Sequence, residues 1–403
     1  MIAPLHDPGA GPRSRPGSVV HLDAVAANTR SFADRVPGHL MAVVKADGFG
    51  HGAVEVARTA LLHGATWLGV TSLEEALGLR DAGLVAPVLS WLNPVDADFA
   101  TAVRRNVDVA VSDRDHLLAV ARAGRTAGRR ARVHLHLDTG MARDGAAPGT
   151  WAALCAAARV QELAGTVQVV GVMGHLACAS AGSDASGRAA FRVGVALARR
   201  AGLRPQLRHL AATAATLTDP ESHYDLVRVG AGLVGIDPSG TTSLAPALTL
   251  TAPVIGIQRV PADTGVGYDH TFRTGRATTL ALLGVGYADG LPRIASGRAE
   301  VWLAGARRRV VGRISMDQTV VDLGDDGVLL GAEATVFGPT AGAPAGSAPT
   351  VDEWAEWADT IPHEIVTGLG ARLGRLHRGG AVSLGAIESA SAAVVPAALR
   401  SVR

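Results

Sequence analysis

Lysine is almost missing from this chain. Of 38 basic residues in 403, only Lys45 is a lysine, and the rest are arginines. Cysteine is almost as scarce: Cys155 and Cys178 cannot build a disulfide framework, which points to a reducing, cytoplasmic setting. The Pro- and Gly-rich start, MIAPLHDPGAGPRSRPG, lacks the apolar core of a signal peptide, and no apolar run of about 18 residues follows it. Charge of either sign is not in excess. A net charge of +2 leaves no basic stripe for nucleic acid and no polybasic patch for a membrane surface. Aromatic residues make up 4%, and Tyr224, Tyr268 and Tyr287 are the only tyrosines. What is abundant is apolar: 48% hydrophobic against 18% charged excludes disorder, and the length allows two or three domains of about 150 residues.

Two readings of the lone lysine are open. GC-rich codon usage depletes lysine generally and could leave one anywhere. Chemically, arginine keeps its proton near neutral pH, whereas a lysine amine can lose it and form a Schiff base, so a retained lysine can mark a place arginine cannot fill. Lys45 follows the apolar run MAVV and precedes ADGFGHG. At the C-terminal end of a barrel strand it would point into the mouth, although a strand-end lysine, taken alone, is more often a solvated rim charge.

Two textures divide the chain. Residues 1–18 read as a flexible lead-in. From 19 to 243, short β-branched runs alternate with Ala/Leu/Arg-rich helical stretches: MAVVKA, WLGV, PVLSWL, VDVAVS, ARVHLHLD, VQVVGVMGH, LRHLA and DLVRVGAGLVGI are strand candidates. That cadence predicts a parallel sheet, and about 220 residues of it suit a (β/α)8 TIM-type barrel. From 244 to 385 the runs LTLTAPVIGIQRV, TTLALLGVGYA, AEVWLAG and RRRVVGRISM predict a second, mainly β domain. Its one convincing helix, TVDEWAEWADTI, opens on Thr350 and Glu353 as a capping box. Residues 386–403 read as a tail.

Two motifs invite other functions. Gly230-Ala231-Gly232-Leu233-Val234-Gly235 fits the dinucleotide pattern G-x-G-x-x-G, but Asp237-Pro238 breaks the chain where a helix should follow. The same glycines can still offer backbone N–H groups to an anion, as late strand ends of barrels often do. His134, His136 and Asp138 share one strand face, and with His175, His209 and Lys45 they make the inventory of a metal-dependent barrel hydrolase. The order is wrong for that class, since Lys45 precedes the His-x-His pair, and a partly buried structural role suits these histidines better; no metal is expected.

Taken together, MAVVKADGFGHG, HLDTGMARDG, VMGHLACA, DLVRVGAGLVGI, GVGYDHTF, GYADGLPR and VGRISMDQ, in this order from about Val19 to His377, resemble the fold-type III pyridoxal-phosphate racemases, the alanine racemase family, and most closely its actinobacterial members. The resemblance implies pyridoxal 5'-phosphate (PLP) as cofactor, an amino acid as substrate, D-alanine for peptidoglycan as product, and a cytoplasmic homodimer with shared active sites. It implies that Lys45 forms the internal aldimine and is one catalytic base, and that Tyr268 from the other subunit is the second. Arg228 matches the residue at the pyridine nitrogen, Arg143 and the N–H of Met316 the substrate-carboxylate contacts, and His175 the link between the Tyr base and Arg228. Tyr287 matches an entrance residue, and Thr213, Gly230 and Ala231 fall at phosphate positions.

Departures accompany it. His136 stands where the family carries a carbamylated lysine, Phe49 and His363 where two tyrosines approach the phosphate, and Ala212 where an Asn is usual. With the acid–base pair retained, these changes suit a racemase with altered substrate preference; a non-catalytic PLP-binding protein on the same scaffold is the alternative.

Overall fold

The computed structural model describes residues 15–178, 180–340 and 342–380. Most of the lead-in and all of the 386–403 tail therefore lie outside the described residues. The described chain divides into two compact units, one formed by residues 23–245 and the other by residues 15–22 with 246–379.

The first unit is built on eight parallel strands: β2 (His39–Val43), β3 (Trp67–Val70), β4 (Val88–Ser90), β5 (Val107–Val111), β6 (Ala131–His136), β7 (Val167–Met173), β8 (Leu207–His209) and β9 (Leu226–Val229). They pair in the order β8-β7-β6-β5-β4-β3-β2-β9. The two ends of that ladder meet, because Asp225 N–H donates to the Arg208 carbonyl at 3.1 Å and Arg228 N–H to the Ala211 carbonyl at 3.0 Å. Strands covered on both faces must be apolar throughout, and β3, β4 and β5 are buried along their whole length. Helices intervene as the cadence predicts. Ala53–Leu62 begins after Gly52, and Leu73–Asp81 starts from a capping box of Ser72 and Glu75.

A strand, β1 (Gly17–His21), precedes the barrel and does not belong to it. Its run Ser-Val-Val-His extends the second unit's sheet, antiparallel to β10 (Leu248–Val260) and parallel to β18 (Gly374–Arg378). The sequence reading placed Gly17 and Ser18 in the flexible lead-in and began the barrel at Val19; its boundary near 243 lies two residues before the observed one. A five-residue strand carries no mark of which sheet it will join, which is where the reading departs from the structure.

The second unit is an eight-stranded sheet ordered β15-β14-β17-β10-β1-β18, with β13 (Thr278–Leu283) bridging β10 and β16. β14 is Glu300–Leu303, β15 Ala306–Arg309, β16 Thr319–Gly324 and β17 Glu333–Phe337. Its core gathers Val20, Leu250, Val301, Val336, Phe337 and Trp354, and the Trp354 indole donates to the Val336 carbonyl at 2.8 Å. The helix Val351–Trp357 carries the Thr350–Glu353 capping box, and a second helix, Pro362–Thr367, follows it unannounced by the sequence. Among the described residues, no helix is long and apolar enough to cross a membrane.

Candidate active site

Lys45 leaves the end of β2 where the backbone does something costly. After Val44, the residues Ala46, Asp47, Gly48, Phe49 and Gly50 all have positive φ, between 51° and 78°. For the three that are not glycine, a left-handed backbone costs roughly 1–2 kcal/mol each, so the surroundings must impose the turn. They do: Glu75 accepts the Ala46 N–H at 2.7 Å, Asp47 accepts the Ala53 N–H at 2.9 Å, and Gly50 N–H returns to the Ala46 carbonyl at 2.9 Å. Phe49 is buried with its ring against Gly230, where any Cβ would stand 2.7 Å from Cε2 and Cζ.

Lys45 itself is half-buried, and burial lowers its pKa, with the Arg143 charge acting the same way and Glu75 against it. Arg143 →Met should therefore raise the pH at which the amine becomes reactive, and Glu75→Gln should lower it. Because Lys45 is the only lysine, a pH profile of its reductive alkylation, read by peptide mass, tests both signs.

Arg143 stands on a loop closed by backbone bonds between Asp138 and Ala146 at 3.0 Å and between Ala146 and His136 at 2.8 Å. The Asp138 carboxylate accepts the N–H groups of Gly140, Met141 and Ala142 inside it. Next to Arg143, Asp144 lies 2.9 Å from His136 Nδ1 and accepts the Ser112 hydroxyl at 2.8 Å. These bonds outweigh burial and hold the Asp144 carboxyl well below the usual range.

Arg228, on β9, is buried and has no carboxylate partner among the described residues. Its terminal nitrogens donate to the carbonyls of Gly174 (2.7 Å), His209 (3.0 Å) and Leu210 (3.2 Å), and to Nδ1 of His175 and of His209, both at 3.1 Å. None of these bonds leaves from Nε. Burial pushes the guanidinium down to about 10, so it stays charged at neutral pH. Burial, followed by the charges of Arg228 and Arg143, drives His175 down to about 3. A neutral His175 that accepts at Nδ1 carries its proton on Nε2, free to donate there.

Beyond β9, Gly230-Ala231-Gly232 enters a 3-10 turn that Gly235 ends at φ 91°, so the helix a dinucleotide needs does not form. The N–H groups of Gly230 and Gly232 reach Thr213 Oγ1 only at 3.4 Å, near the limit of a hydrogen bond. Ala212 precedes Thr213 with no side-chain cap to offer. His134 and His209, candidates for a metal, use both ring nitrogens in a buried chain, and His136 is committed to Asp144.

The second unit carries the other candidates. A hairpin of β11 (Gly265–Val266) and β12 (Phe272–Arg273) presents Tyr268 at its tip, 66% exposed. Asp269, next in the chain, pairs with Arg313 at 2.9 Å. Tyr287 N–H donates to the Ser315 carbonyl and Ala288 N–H to that of Met316, which brings Tyr287 and Met316 together; both side chains are exposed. The Met316 N–H makes no hydrogen bond among the described residues. His363 sits in the first turn of the helix Pro362–Thr367, partly buried.

The sequence reading grouped Lys45, Phe49, Arg143, His175, Thr213, Arg228, Gly230 and Ala231, and these lie in the barrel unit; Tyr268, Tyr287, Met316 and His363 lie in the β unit. It missed Glu75, Asp144 and Asp108. Glu75 was legible only as a capping residue, whereas Asp108, an acid inside the apolar run VDVAV, was a signal left unused.

Residues 20–238 match the alanine racemase N-terminal domain family and residues 247–377 its C-terminal domain family. The chain belongs to the alanine racemase family. It is 46% identical to the alanine racemase of Frankia casuarinae over 378 residues, 91% of this chain and 97% of that protein. The alanine racemase structure from D-cycloserine-producing Streptomyces lavendulae superposes with a TM-score of 0.88 at 44% identity, covering 91% of this chain and 98% of that one. For the alanine racemase of Streptomyces coelicolor the values are 0.87, 42%, 90% and 98%. Membership in the alanine racemase family makes this chain an isomerase.

Proposed function

We propose that the protein interconverts L- and D-alanine with PLP bound at Lys45. The observation that carries this reading is Lys45 itself, the single lysine, half-buried at a strained turn with its amine pKa lowered by burial and Arg143. The surrounding groups fit the cofactor. Arg228 keeps Nε–H uncommitted for a pyridine nitrogen. The long bonds from Gly230 and Gly232 to Thr213, with Ala231 between them, leave N–H groups for a phosphate. A permanently charged guanidinium donates and does not protonate the ring, which restrains the cofactor's electron withdrawal.

When bound, PLP supplies the electron sink that makes the substrate Cα–H acidic. The protein does the rest. Arg143 and the Met316 N–H bind the substrate carboxylate, and the His136–Asp144 pair steadies the loop of Arg143 in place of a carbamylated lysine. The Lys45 amine moves a proton at one face of Cα, and the partner subunit's Tyr268 moves one at the other. The neutral His175 donates from Nε2 to that phenol oxygen, stabilising it when deprotonated. Tyr287 borders the entrance. The exposure of Tyr268 within one chain supports its delivery to a second copy, and the unpaired thiols Cys155 and Cys178 suit the cytoplasm.

Purified protein incubated with a panel of L-amino acids should bring alanine to equal enantiomers fastest. Faster turnover of another amino acid would reassign the substrate, and no turnover with PLP bound would leave a binding protein.

The departures concentrate at the phosphate. Phe49 Cζ lies against Gly230, so Phe49→Tyr would place a hydroxyl beside the Gly230–Ala231 N–H groups. A hydrogen bond to a charged group is worth about 1.5–3 kcal/mol, so PLP should bind about tenfold more tightly. His363→Ala should loosen it, because an imidazole N–H can donate to the phosphate. Equilibrium titration with PLP measures both; unchanged affinity in His363→Ala would make that residue packing alone.

A further inference from the structure

A buried guanidinium normally lies against a carboxylate, yet Arg228 has only carbonyls and imidazoles around it. The nearest negative charge connected to it by hydrogen bonds lies two side chains away. Arg228 reaches Nδ1 of His209 at 3.1 Å, His209 Nε2 lies 2.8 Å from Nδ1 of His134, and His134 Nε2 lies 3.3 Å from Asp108 Oδ2. Asp108 Oδ1 then accepts from Arg132 Nε at 2.8 Å. Asp108, His134 and His209 are fully or almost fully buried. Space has been kept for this chain: a Cβ on Gly171 would overlap the His134 imidazole, so only glycine fits there.

The ends of the chain dictate its protons. Arg228 can only donate, so His209 Nδ1 must accept and His209 must carry its proton on Nε2. His134 Nδ1 must then accept, which leaves the His134 proton on Nε2, facing Asp108. An ionised carboxylate can only accept, and Asp108 is ionised, its pKa lowered by bonds from His134 and Arg132 despite burial. Both imidazoles are held neutral by burial, which agrees with one proton per ring. One arrangement alone satisfies every group.

We propose that Asp108 is a positioning residue for Arg228, acting through His134 and His209 as a one-way hydrogen-bond relay that supplies a remote counter-charge and fixes which way the guanidinium faces. The consequence for the cofactor rests on the function proposed above, because the orientation that matters is that of Arg228 Nε–H. The relay itself does not depend on that reading.

Neutron diffraction from the deuterated full-length protein, or 15N NMR of its histidines assigned with His134→Gln and His209→Gln, should show both rings protonated on Nε2 only. Asp108→Asn presents one acceptor and one donor to two donors. Either Arg132, whose side chain is 32% exposed, swings into water, or the chain reverses and sets an Nδ1–H of His209 against Arg228. Both remove the counter-charge, so the PLP dissociation constant should rise about tenfold. Gly171→Ala, which displaces the His134 ring and alters no charge, should do the same, while Arg132→Gln should stay within twofold of the parent. A proton on Nδ1 of either ring in the parent protein, or Asp108→Asn within twofold of the parent, would overturn the proposal. If Asp108→Asn does not fold, the proton pattern of the parent decides. Absence of any PLP binding by the parent would defeat the proposed function and leave the proton pattern to judge the relay.

Discussion

Lys45→Arg is expected to abolish both cofactor attachment and racemisation. The substitution keeps the length and charge of the side chain and removes one property, an amine that can lose its proton. Loss of a positioned general base alone typically costs 10²–10⁴-fold in rate, and here the same residue would also hold the cofactor. The parent protein, saturated with PLP and reduced with borohydride, should carry a single pyridoxyl group, and peptide mapping should place it on the segment Ala42-Val43-Val44-Lys45-Ala46. With no second lysine, a label elsewhere in the chain would leave the α-amine as its only alternative, and Lys45→Arg distinguishes the two. A label that persists in Lys45→Arg, or activity within tenfold of the parent, would remove Lys45 from its proposed role.

The barrel was legible because its strands are buried on both faces and read as unbroken apolar runs: WLGV is a strand over the residues expected, and VDVAVS and ARVHLHLD differ from theirs only at the C-terminal end. The Thr350–Glu353 capping box was legible because it is local, a side chain and a backbone three residues apart. What stayed hidden was non-local. β1 pairs with strands more than 200 positions away, and nothing in Gly17–His21 names them. The helix Pro362–Thr367 is too short for periodicity to speak. In the site, residue types with rare chemistry stood out: a lone lysine and three tyrosines. The groups that support them did not, because Glu75 and Asp108 are ordinary acids until the fold brings the Ala46 N–H to one and the His134 ring to the other. The histidines read as partly buried structural groups, but their partners were not legible: His134 and His209 bond each other, with Asp108 at one end and Arg228 at the other, and His136 bonds Asp144.

Mixing two inactive variants should restore about a quarter of parental activity. In a shared-site dimer, each centre takes Lys45 from one chain and Tyr268 from the other. Tyr268→Phe keeps the lysine and loses the phenol's proton chemistry; Lys45→Ala does the reverse. After equimolar exchange about half of the dimers are mixed, and each mixed dimer holds one complete centre and one with neither base, which gives about one centre in four. The position of Tyr268 makes this more than an inherited expectation. It stands at the tip of a two-strand hairpin whose turn is held at positive φ at Gly267, Asp269 and His270, braced by the Asp269–Arg313 pair, yet the phenol itself is largely exposed within its own chain. A phenol needs neighbouring groups to work as a base near neutrality, so the rigid hairpin makes sense where a second surface covers its tip. Native mass spectrometry of isotopically distinct variants would establish exchange. If mixed dimers form and activity stays below about one percent of the parent, both bases belong to one chain and the shared centre is wrong.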